Sequence, residues 1–358
     1  MRPYRGLARP LLFRADPERV HDATVRAAEL AGRSRLARRA AAGRPWAPDP
    51  RLAIEAAGLR FRSPVGLGAG FDKSARAVPL LAALGFGHVE VGSVSAAPSA
   101  GNPRPRLFRL PAERGIVVHY GVPNDGAERV AARLAGPRPN VPVGVNVVST
   151  NRGVAETDAE VIGDYVASVR RLQGLADYVC LNLSCPNTRD GRGFFADLRR
   201  LRRLLDELGE AGVERPLFIK VAPFADGPGA FLDAVAPAPF VSGFSVNLPP
   251  GKPAGLEHLA MPGAVSGRPA AARAERTVAE LYRGIDRDRH VLIGSGGVFD
   301  AAGAYLMIRL GASLVQLYTA LIYEGPGVVR TITDGLAELV ERDGLASIAD
   351  AVGADTSY

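Results

Sequence analysis

Residues 290–297 read His-Val-Leu-Ile-Gly-Ser-Gly-Gly, and residues 313–319 read Ser-Leu-Val-Gln-Leu-Tyr-Thr. Within them, residues 290–293 and 313–317 are short apolar runs that are followed by small or polar residues, as buried parallel strands often are. Six earlier runs share this pattern, and most are separated by enough chain for a helix. They are residues 64–68, 88–92, 141–147, 178–183, 217–221 and 241–246. Eight such runs predict a closed (β/α)₈ barrel (a TIM barrel), with a doubly wound open sheet as the alternative.

The ends of the last two runs carry a signal for phosphate binding. Gly296 and Gly297 follow the seventh run, and Tyr318 and Thr319 follow the eighth, where a helix is expected to begin. In many (β/α)₈ barrels, glycine-rich backbone after strand seven and a helix start after strand eight bind a phosphate. We therefore expect a phosphorylated ligand at this end of the barrel.

Two further segments place polar groups at the same end. In residues 68–73, Gly-Ala-Gly-Phe-Asp-Lys, the glycines allow a planar ligand to approach the backbone, and Lys73 adds a positive charge. After the fourth run, Asn182 and Asn187 offer paired donors and acceptors that suit an imide or a carboxylate. Lys220 ends the fifth run and Asn247 follows the sixth. A buried lysine is costly unless an anionic or electron-rich group meets it.

Two cysteines lie in one segment, Cys180 within the fourth run and Cys185 just beyond its end. Cys185 is a candidate proton acceptor because it follows the strand beside polar residues. The alternative is a buried structural cysteine, which is the preferred interpretation for Cys180. Two cysteines so close together form no disulfide framework, and without a nearby histidine pair they predict no metal site.

The segment 1–46 is predicted to be helical and separate from the barrel unit, residues 47–358. One helical piece lies around residues 7–13, and a second runs from Pro17 to about Ala31, with Asp16 as N-cap and Gly32 as a stop. The Pro-rich stretch 43–50 is expected to be a linker. A helix packed on its own barrel and a helix facing a membrane fit this pattern equally.

The net charge is +7, and residues 1–46 carry eleven arginines against four acidic side chains. Nucleic-acid binding, attraction to an anionic membrane and a solvated basic face are the three explanations. The sequence has no basic stripe with interleaved aromatic residues, so we do not expect the protein to bind nucleic acid. No signal peptide or spanning apolar run is found, which predicts a cytoplasmic protein, either free or peripheral on the inner face of the cell membrane.

The chain as a whole resembles the dihydroorotate dehydrogenases, and within them the quinone-using class 2. The shared motifs are RADPERVHDATV (14–25), GLGAGFDK (66–73), GFGHVEVGSVS (85–95), GNPRPRLFRL (101–110), LNLSCPNT (181–188), VSGRP (265–269), IGSGGV (293–298) and GASLVQLYTALIYEGP (311–326). The resemblance implies a barrel with FMN at its mouth and a small substrate with a carbonyl or carboxylate. It implies oxidation of a carbon–carbon bond beside the carbonyl, with hydride transfer to FMN. It also implies N-terminal helices that bind a membrane and form a tunnel for a quinone acceptor.

Matching the motifs position by position assigns roles to individual residues. The FMN contacts would be Ala69, Gly70, Ser93, Asn146, Asn182, Lys220, Ser266, Gly267, Gly296, Gly297, Tyr318 and Thr319. The substrate contacts would be Lys73, Asn182, Asn187 and Asn247, with Val118 and Leu248 beside them. Cys185 would be the catalytic base and Lys73 would assist it, while His21, Arg106 and Tyr318 would line the quinone tunnel.

Three positions depart from the family pattern. Cys185 stands where the quinone-using class has serine, Val118 replaces an asparagine, and Leu248 replaces a threonine. The last two changes remove polar contacts, so a less polar substrate in a specialised pathway is the alternative to dihydroorotate; water or His119 could also restore the contacts. Two further interpretations are a non-redox phosphate-binding barrel and a flavin-binding protein without activity.

Overall fold

The structure, a computed structural model, describes residues 4–43, 46–154, 156–185, 193–248 and 250–356. The strands in these residues are β1 (Ile54–Ala56), β2 (Leu59–Phe61), β3 (Val65–Leu67), β4 (His88–Val94), β5 (Leu107–Leu110), β6 (Gly115–Val118), β7 (Val143–Val147), β8 (Tyr178–Asn182), β9 (Leu217–Val221), β10 (Val241–Val246), β11 (Ala264–Gly267), β12 (Val291–Ser295) and β13 (Leu314–Leu317). Eight of them pair in parallel and close in the order β10-β12-β13-β3-β4-β7-β8-β9. The predicted barrel is confirmed, and its closure excludes the doubly wound open sheet.

Each of the eight predicted runs forms a barrel strand, with ends that differ by no more than two residues. The strands β7, β8 and β9 are buried along their whole length. Continuous burial is expected of a parallel strand that is covered by side chains inside the barrel and by helices outside it. This is why these runs lack the polar alternation of a half-exposed strand.

Helices surround the barrel and precede it. They are α1 (Arg9–Leu12), α2 (Pro17–Arg33), α3 (Arg35–Ala42), α4 (Val78–Ala83), α5 (Ala127–Leu134), α6 (Asp158–Leu172), α7 (Leu198–Glu210), α8 (Gly229–Val235), α9 (Ala271–Gly284), α10 (Ala301–Arg309), α11 (Thr319–Glu324) and α12 (Val328–Arg342). A π-helical turn, Tyr4–Ala8, leads into α1. In the described part of the chain, no helix is both long and apolar enough to cross a membrane.

The N-terminal helices differ from prediction at one point. Asp16 caps α2 as expected, and its carboxylate accepts a hydrogen bond from the backbone N–H of Arg19 at 2.8 Å. Gly32, however, does not end the helix: α2 continues to Arg33, and Ser34 then caps the unpredicted helix α3. Gly32 lies against α4, where a Cβ would be 3.5 Å from the backbone nitrogen of Leu80, an ordinary van der Waals contact. Ser34, and not Gly32, marks the end of α2.

Two small sheets outside the barrel were not predicted. β1 and β2 form a hairpin, and β5, β6 and β11 form an antiparallel sheet. In the second sheet, Val118 at the end of β6 pairs with both Leu107 and Ala264. This sheet matters for function, because it brings the ends of β6 and β11 over the mouth of the barrel. The expected linker 43–50 is described except at residues 44 and 45.

Candidate active site

Glu90 lies at the centre of the barrel and is fully buried. Its carboxyl oxygens accept hydrogen bonds from Asn146 Nδ2 at 2.9 Å, Tyr178 OH at 3.1 Å and Gln316 Nε2 at 2.9 Å. The three donors stand on β7, β8 and β13, whereas Glu90 is on β4. One acidic side chain therefore links four strands directly beneath the mouth of the barrel.

From Glu90, a directed chain of hydrogen bonds runs to the barrel mouth. Because Asn146 gives its amide N–H to Glu90, its amide oxygen faces the hydroxyl of Ser93, which donates to it. Ser93 in turn accepts from Asn182 Nδ2 at 3.0 Å, and Asn182 Oδ1 accepts from Asn247 Nδ2 at 3.0 Å. Because Glu90 only accepts hydrogen bonds in this chain, it determines which neighbour the N–H end of each side-chain amide faces. Three of the predicted site asparagines are joined in this chain.

Above this chain lies a cleft, called here the barrel-mouth cleft, that is lined by residues at or near the ends of seven strands. Most of the predicted cofactor and substrate residues line it or adjoin its lining. Those that line it are Ala69, Gly70, Val118, Lys220, Asn247, Leu248, Ser266, Gly296, Gly297, Tyr318 and Thr319. Gly267 follows Ser266, and the hydroxyl of Ser266 lies 2.8 Å from that of Thr319.

The backbone of the cleft has the form of a cradle for a phosphate. Gly296 and Gly297 have φ values of +112° and +78°, in the region that favours glycine. A Cβ at Gly297 would lie 2.4 Å from the Cβ of Ala271, at the start of α9. No larger residue fits here, so the backbone stays bare and its N–H groups can face an anion.

Lys220 adds a cation whose partner is missing from the described residues. The side chain lines the cleft and is 8% exposed, yet its ammonium donates no hydrogen bond to any residue that the structure describes. An ammonium at the surface of such a cleft favours an anionic or electron-rich ligand that can accept its hydrogen bonds. A flavin ring with electron-rich oxygen and nitrogen atoms would supply the partner. Together with the glycine cradle, Lys220 makes the cleft fit FMN.

Cys185 lies at the edge of this site and not in the lining of the cleft. It is buried three residues beyond β8, and its thiol interacts electrostatically with the hydroxyl of Tyr165. Tyr165 OH also donates to the backbone oxygen of Asn182 at 2.7 Å. The thiol is thus held against the strand that carries Asn182. Asn187, also predicted to contact substrate, lies outside the described residues.

Lys73 occupies the wall between the cleft and the N-terminal helices. Its ammonium lies 2.7 Å from Nε2 of His21 on α2 and 4.2 Å from the ring centroid of Tyr120. Burial lowers the pKa of Lys73 to about 8, although the carboxylates of Asp22 and Glu18 favour its charged form. Part of the side chain still has surface exposure, but the amine itself lies deep in the wall.

On the other side of this wall is a second, mostly apolar space of about 760 Å³, called here the N-terminal cavity. It lies between the N-terminal helices and the barrel. Its lining residues include Val20, His21, Ala28, Phe71, Leu80, Leu84, Arg109, Leu321 and Ile322. Phe71 stands in the wall, with its ring centroid 5.4 Å from that of His21 and 6.2 Å from that of Tyr318 in the cleft. A long apolar ligand would fit this cavity.

Of the three residues assigned to a quinone tunnel, His21 alone lies in the described lining of the N-terminal cavity, whereas Tyr318 and Arg106 lie elsewhere. Tyr318 lines the cleft. Arg106 is buried in an ion pair with Glu18, 2.8 Å between Nη2 and Oε1, and it also donates to the backbone oxygen of Asn102. Arginine suits such a bidentate buried pair, so Arg106 attaches α2 to the barrel and does not face the cavity.

Several residues of the site were not identified from the sequence. Glu90, Gln316 and Tyr178 lie inside strands, where a polar residue in an apolar run could have indicated an internal network. Arg109 lines the N-terminal cavity, and Tyr120 lies between the two spaces. These two belong to the unpredicted sheet and the loop after it, so no strand-end rule could find them.

Comparisons with known proteins agree with this arrangement. A family model described as dihydroorotate dehydrogenase matches residues 51–340. The chain belongs to the dihydroorotate dehydrogenase family. It is therefore an FMN-dependent oxidoreductase, and the resemblance seen in the sequence is confirmed.

Individual relatives match over nearly the whole chain. A dihydroorotate dehydrogenase (quinone) of Acidithiobacillus ferrooxidans is 40% identical, with 97% of this chain and 98% of the relative covered. One from Halobacterium salinarum is 42% identical, with 98% and 99% covered. The crystal structure of the ligand-free dihydroorotate dehydrogenase of Eimeria tenella has a TM-score of 0.83 and 30% identity, and the alignment covers 96% of this chain and 100% of that one.

The first prediction concerns Glu90, where the chain of hydrogen bonds to the barrel mouth begins. Glu90→Gln keeps the shape but replaces an acceptor oxygen by a donor, so at least one buried group loses its partner, at a cost of about 1–3 kcal/mol. We expect FMN to dissociate at least about tenfold more readily, measured by the fluorescence of flavin released on dilution. Glu338→Gln, on the exposed face of α12, is the matched control. Equal FMN retention in both variants would show that the amides are oriented without Glu90.

Proposed function

We propose that this enzyme oxidises dihydroorotate to orotate in the barrel-mouth cleft and passes the electrons to a quinone in the N-terminal cavity. The observation that carries the proposal is the shared wall between these two spaces. A polar cleft suited to FMN lies on one side, and an apolar cavity of about 760 Å³ lies on the other. The relatives named dihydroorotate dehydrogenase (quinone) support both the substrate and the acceptor.

The residues of the cleft have distinct roles in this proposal. Asn182 and Asn247 hold the carbonyl and carboxylate groups of the substrate, and Asn187 is a further substrate contact expected from the sequence. The backbone at Gly296 and Gly297 holds the phosphate of FMN, and Lys220 stabilises negative charge on its ring. When bound, FMN supplies the two-electron acceptor for a hydride from the substrate. Cys185 removes the proton from the neighbouring carbon.

Turnover and the role of Cys185 are tested together. Under anaerobic conditions, dihydroorotate should bleach the flavin absorbance of the purified protein and yield an equivalent of orotate. Cys185→Ala should slow flavin reduction by about 10²-fold or more, the usual contribution of a positioned base. Cys185→Ser should retain part of the rate at alkaline pH, because a hydroxyl is a weaker acid than a thiol. Unchanged single-turnover reduction in the alanine variant would restrict Cys185 to a structural role.

A different, less polar substrate is the second candidate, and it rests on Val118 and Leu248. Both side chains line the cleft beside Asn247. Neither can donate or accept a hydrogen bond, so an imide or carboxylate placed against them would be desolvated without a partner. An apolar edge of a ligand would instead gain about 25 cal/mol per Å² of surface covered there.

The two candidates are separated by reversing both changes. Each lost hydrogen bond to a charged or imide group costs about 1.5–3 kcal/mol. Val118→Asn combined with Leu248→Thr should therefore strengthen orotate binding about a hundredfold, followed by the shift of flavin absorbance on titration. Val117 occupies the neighbouring, buried position of β6, and Val117→Thr is the control. It shows whether any added polar group near the cleft changes orotate binding. Micromolar orotate binding by the unmodified protein would instead favour dihydroorotate as its substrate.

We further propose that the N-terminal helices attach the protein to an anionic membrane surface, from which a quinone enters the cavity. Four leucines of this segment are largely exposed: Leu7, Leu11, Leu30 and Leu36. Exposed arginines accompany them on the same helices, including Arg33 and Arg39. Apolar side chains that enter the headgroup region, next to arginines that attract anionic lipids, are typical of peripheral helices.

Vesicle binding tests this attachment. Changing Leu7, Leu11 and Leu36 together to serine should reduce binding to anionic vesicles about tenfold or more, since each buried leucine contributes roughly 1.5 kcal/mol or more. Binding of the unmodified protein should also weaken as salt screens the arginines. Leu306→Ser removes an exposed leucine from α10 and is the control. Equal vesicle binding by the triple variant and the control would contradict the proposal.

A further inference from the structure

His21 and Lys73 form a direct contact through the wall between the two spaces. The distance from Lys73 Nζ to His21 Nε2 is 2.7 Å. His21 lines the N-terminal cavity. Lys73 lies over the ring of Tyr120, and Tyr120 lines the barrel-mouth cleft. This pair is therefore a polar connection between the proposed quinone space and the proposed flavin space.

The contact determines where the proton of His21 is. An ammonium group can only donate, so Nε2 of His21 accepts from Lys73. A neutral imidazole that accepts at Nε2 carries its proton on Nδ1. Burial lowers the pKa of His21 well below its usual value, and the charge of Lys73 lowers it further. The ring is thus neutral, and its one N–H, which is not used by Lys73, interacts with the backbone oxygen of Phe71, another residue of the cavity lining.

Reduction of a quinone requires such a proton. Conversion of a quinone to a quinol adds two electrons and two protons. The electrons must cross the wall between the two spaces, so each quinone oxygen, the second as well as the first, must take its proton from a donor on the cavity side. The polar side chains in the described lining of the cavity are few: Tyr4, His21, Thr24, Arg109 and Arg330.

The remaining polar groups of the lining are poor proton donors. Guanidinium groups stay protonated, which excludes Arg109 and Arg330. The hydroxyl of Tyr4 donates to the backbone oxygen of Ile322 at 2.7 Å, and burial raises its pKa. The hydroxyl of Thr24 donates to the backbone oxygen of Val20 and is not acidic. His21 is the group in this lining that can give up a proton and then receive another from Lys73, on the opposite side of its ring.

We propose, on the basis of the function proposed above, that His21 and Lys73 form a proton relay to the quinone. Nδ1–H of His21 gives its proton to the second quinone oxygen, while Nε2 takes a proton from the ammonium of Lys73. The N–H bond at Nδ1 and one N–H bond of Lys73 break, and O–H of the quinol and N–H at Nε2 form. No electrons move in this step, and Lys73 is left neutral until a proton returns from the cleft side.

The charges around Lys73 suit this role. Glu18 and Asp22 face it from α2, Asp72 from the adjoining turn, and Arg106 from the residue before β5. Burial is the largest influence and lowers the pKa of Lys73 to about 8. Lys73 is therefore charged and able to donate below about pH 8, and it loses this ability as the pH rises through that value. The lowered pKa of His21 keeps its ring neutral in the same range.

The test compares the two half-reactions of the complete holoenzyme by stopped-flow absorbance. His21→Gln keeps a polar amide at this position, but the amide cannot relay a proton. The limiting rate of flavin reoxidation by saturating short-chain benzoquinone should fall about 10²-fold. Reoxidation by ferricyanide, which takes up no proton, and reduction by dihydroorotate should slow far less than reoxidation by the quinone. Retained FMN and an unchanged melting temperature show that the variant is folded.

The pH profile separates a relay from a binding contact. In the unmodified enzyme, the limiting rate with the quinone should fall as the pH rises through about 8, as Lys73 loses its charge. In His21→Gln this transition should be absent. A side chain that only contacts the quinone would raise the half-saturating quinone concentration and leave the limiting rate and its pH profile unchanged. His258→Gln, an exposed histidine in the loop before β11, is the matched control.

Spectra of ¹⁵N-histidine-labelled holoenzyme give a readout that does not depend on turnover. His21, assigned by its loss in His21→Gln, should be neutral and protonated at Nδ1. An Nε2–H tautomer, or an unchanged limiting rate in His21→Gln, would overturn the relay alone. If quinones fail to reoxidise the unmodified enzyme while ferricyanide succeeds, the proposed acceptor is overturned together with the relay.

Discussion

The hydrogen bonds that Glu90 accepts from Asn146, Tyr178 and Gln316 connect four strands at the centre of the barrel. Amide side chains have a donor end and an acceptor end, and either end could face a neighbour. A carboxylate at the start of the chain removes this freedom, because it presents acceptors only. The orientation then passes through Ser93 to the asparagines at the mouth. Hydrogen bonds inside the core thus determine which donors and acceptors the asparagines present at the barrel mouth.

The second constraint is the attachment of the N-terminal helices. Glu18 of α2 is buried and forms an ion pair with Arg106, and the same helix packs against α4. The helices therefore form one wall of the N-terminal cavity, and they place His21 against Lys73. Breaking a buried ion pair leaves an uncompensated charge, which is more destabilising than the pair is stabilising. The position of α2 is accordingly part of the site and not a separate accessory.

Two of the three departures from the family pattern, Val118 and Leu248, line the cleft from segments outside the barrel strands. The glycine cradle, Lys220 and the amide chain come from barrel strands and are consistent with FMN. Val118 comes from the added sheet, and Leu248 comes from the loop after β10. Peripheral segments can change without disturbing the closed barrel, because few barrel side chains depend on them. This division explains how a chain can keep the chemistry of its family while the wall that meets the substrate becomes less polar.

The sequence by itself determined the barrel, the glycine cradle and the strand-end residues, because strand burial and bare backbone leave local patterns in the chain. The relation between distant segments was decided only by tertiary structure. Arg106 faces Glu18 and not the cavity, and Glu90 orients the side chains of three other strands and is not merely a polar residue in its own strand. In each case the partner lies on another element, far away along the chain. Local patterns carry no information on which side chains meet when the barrel closes and the helices pack on it.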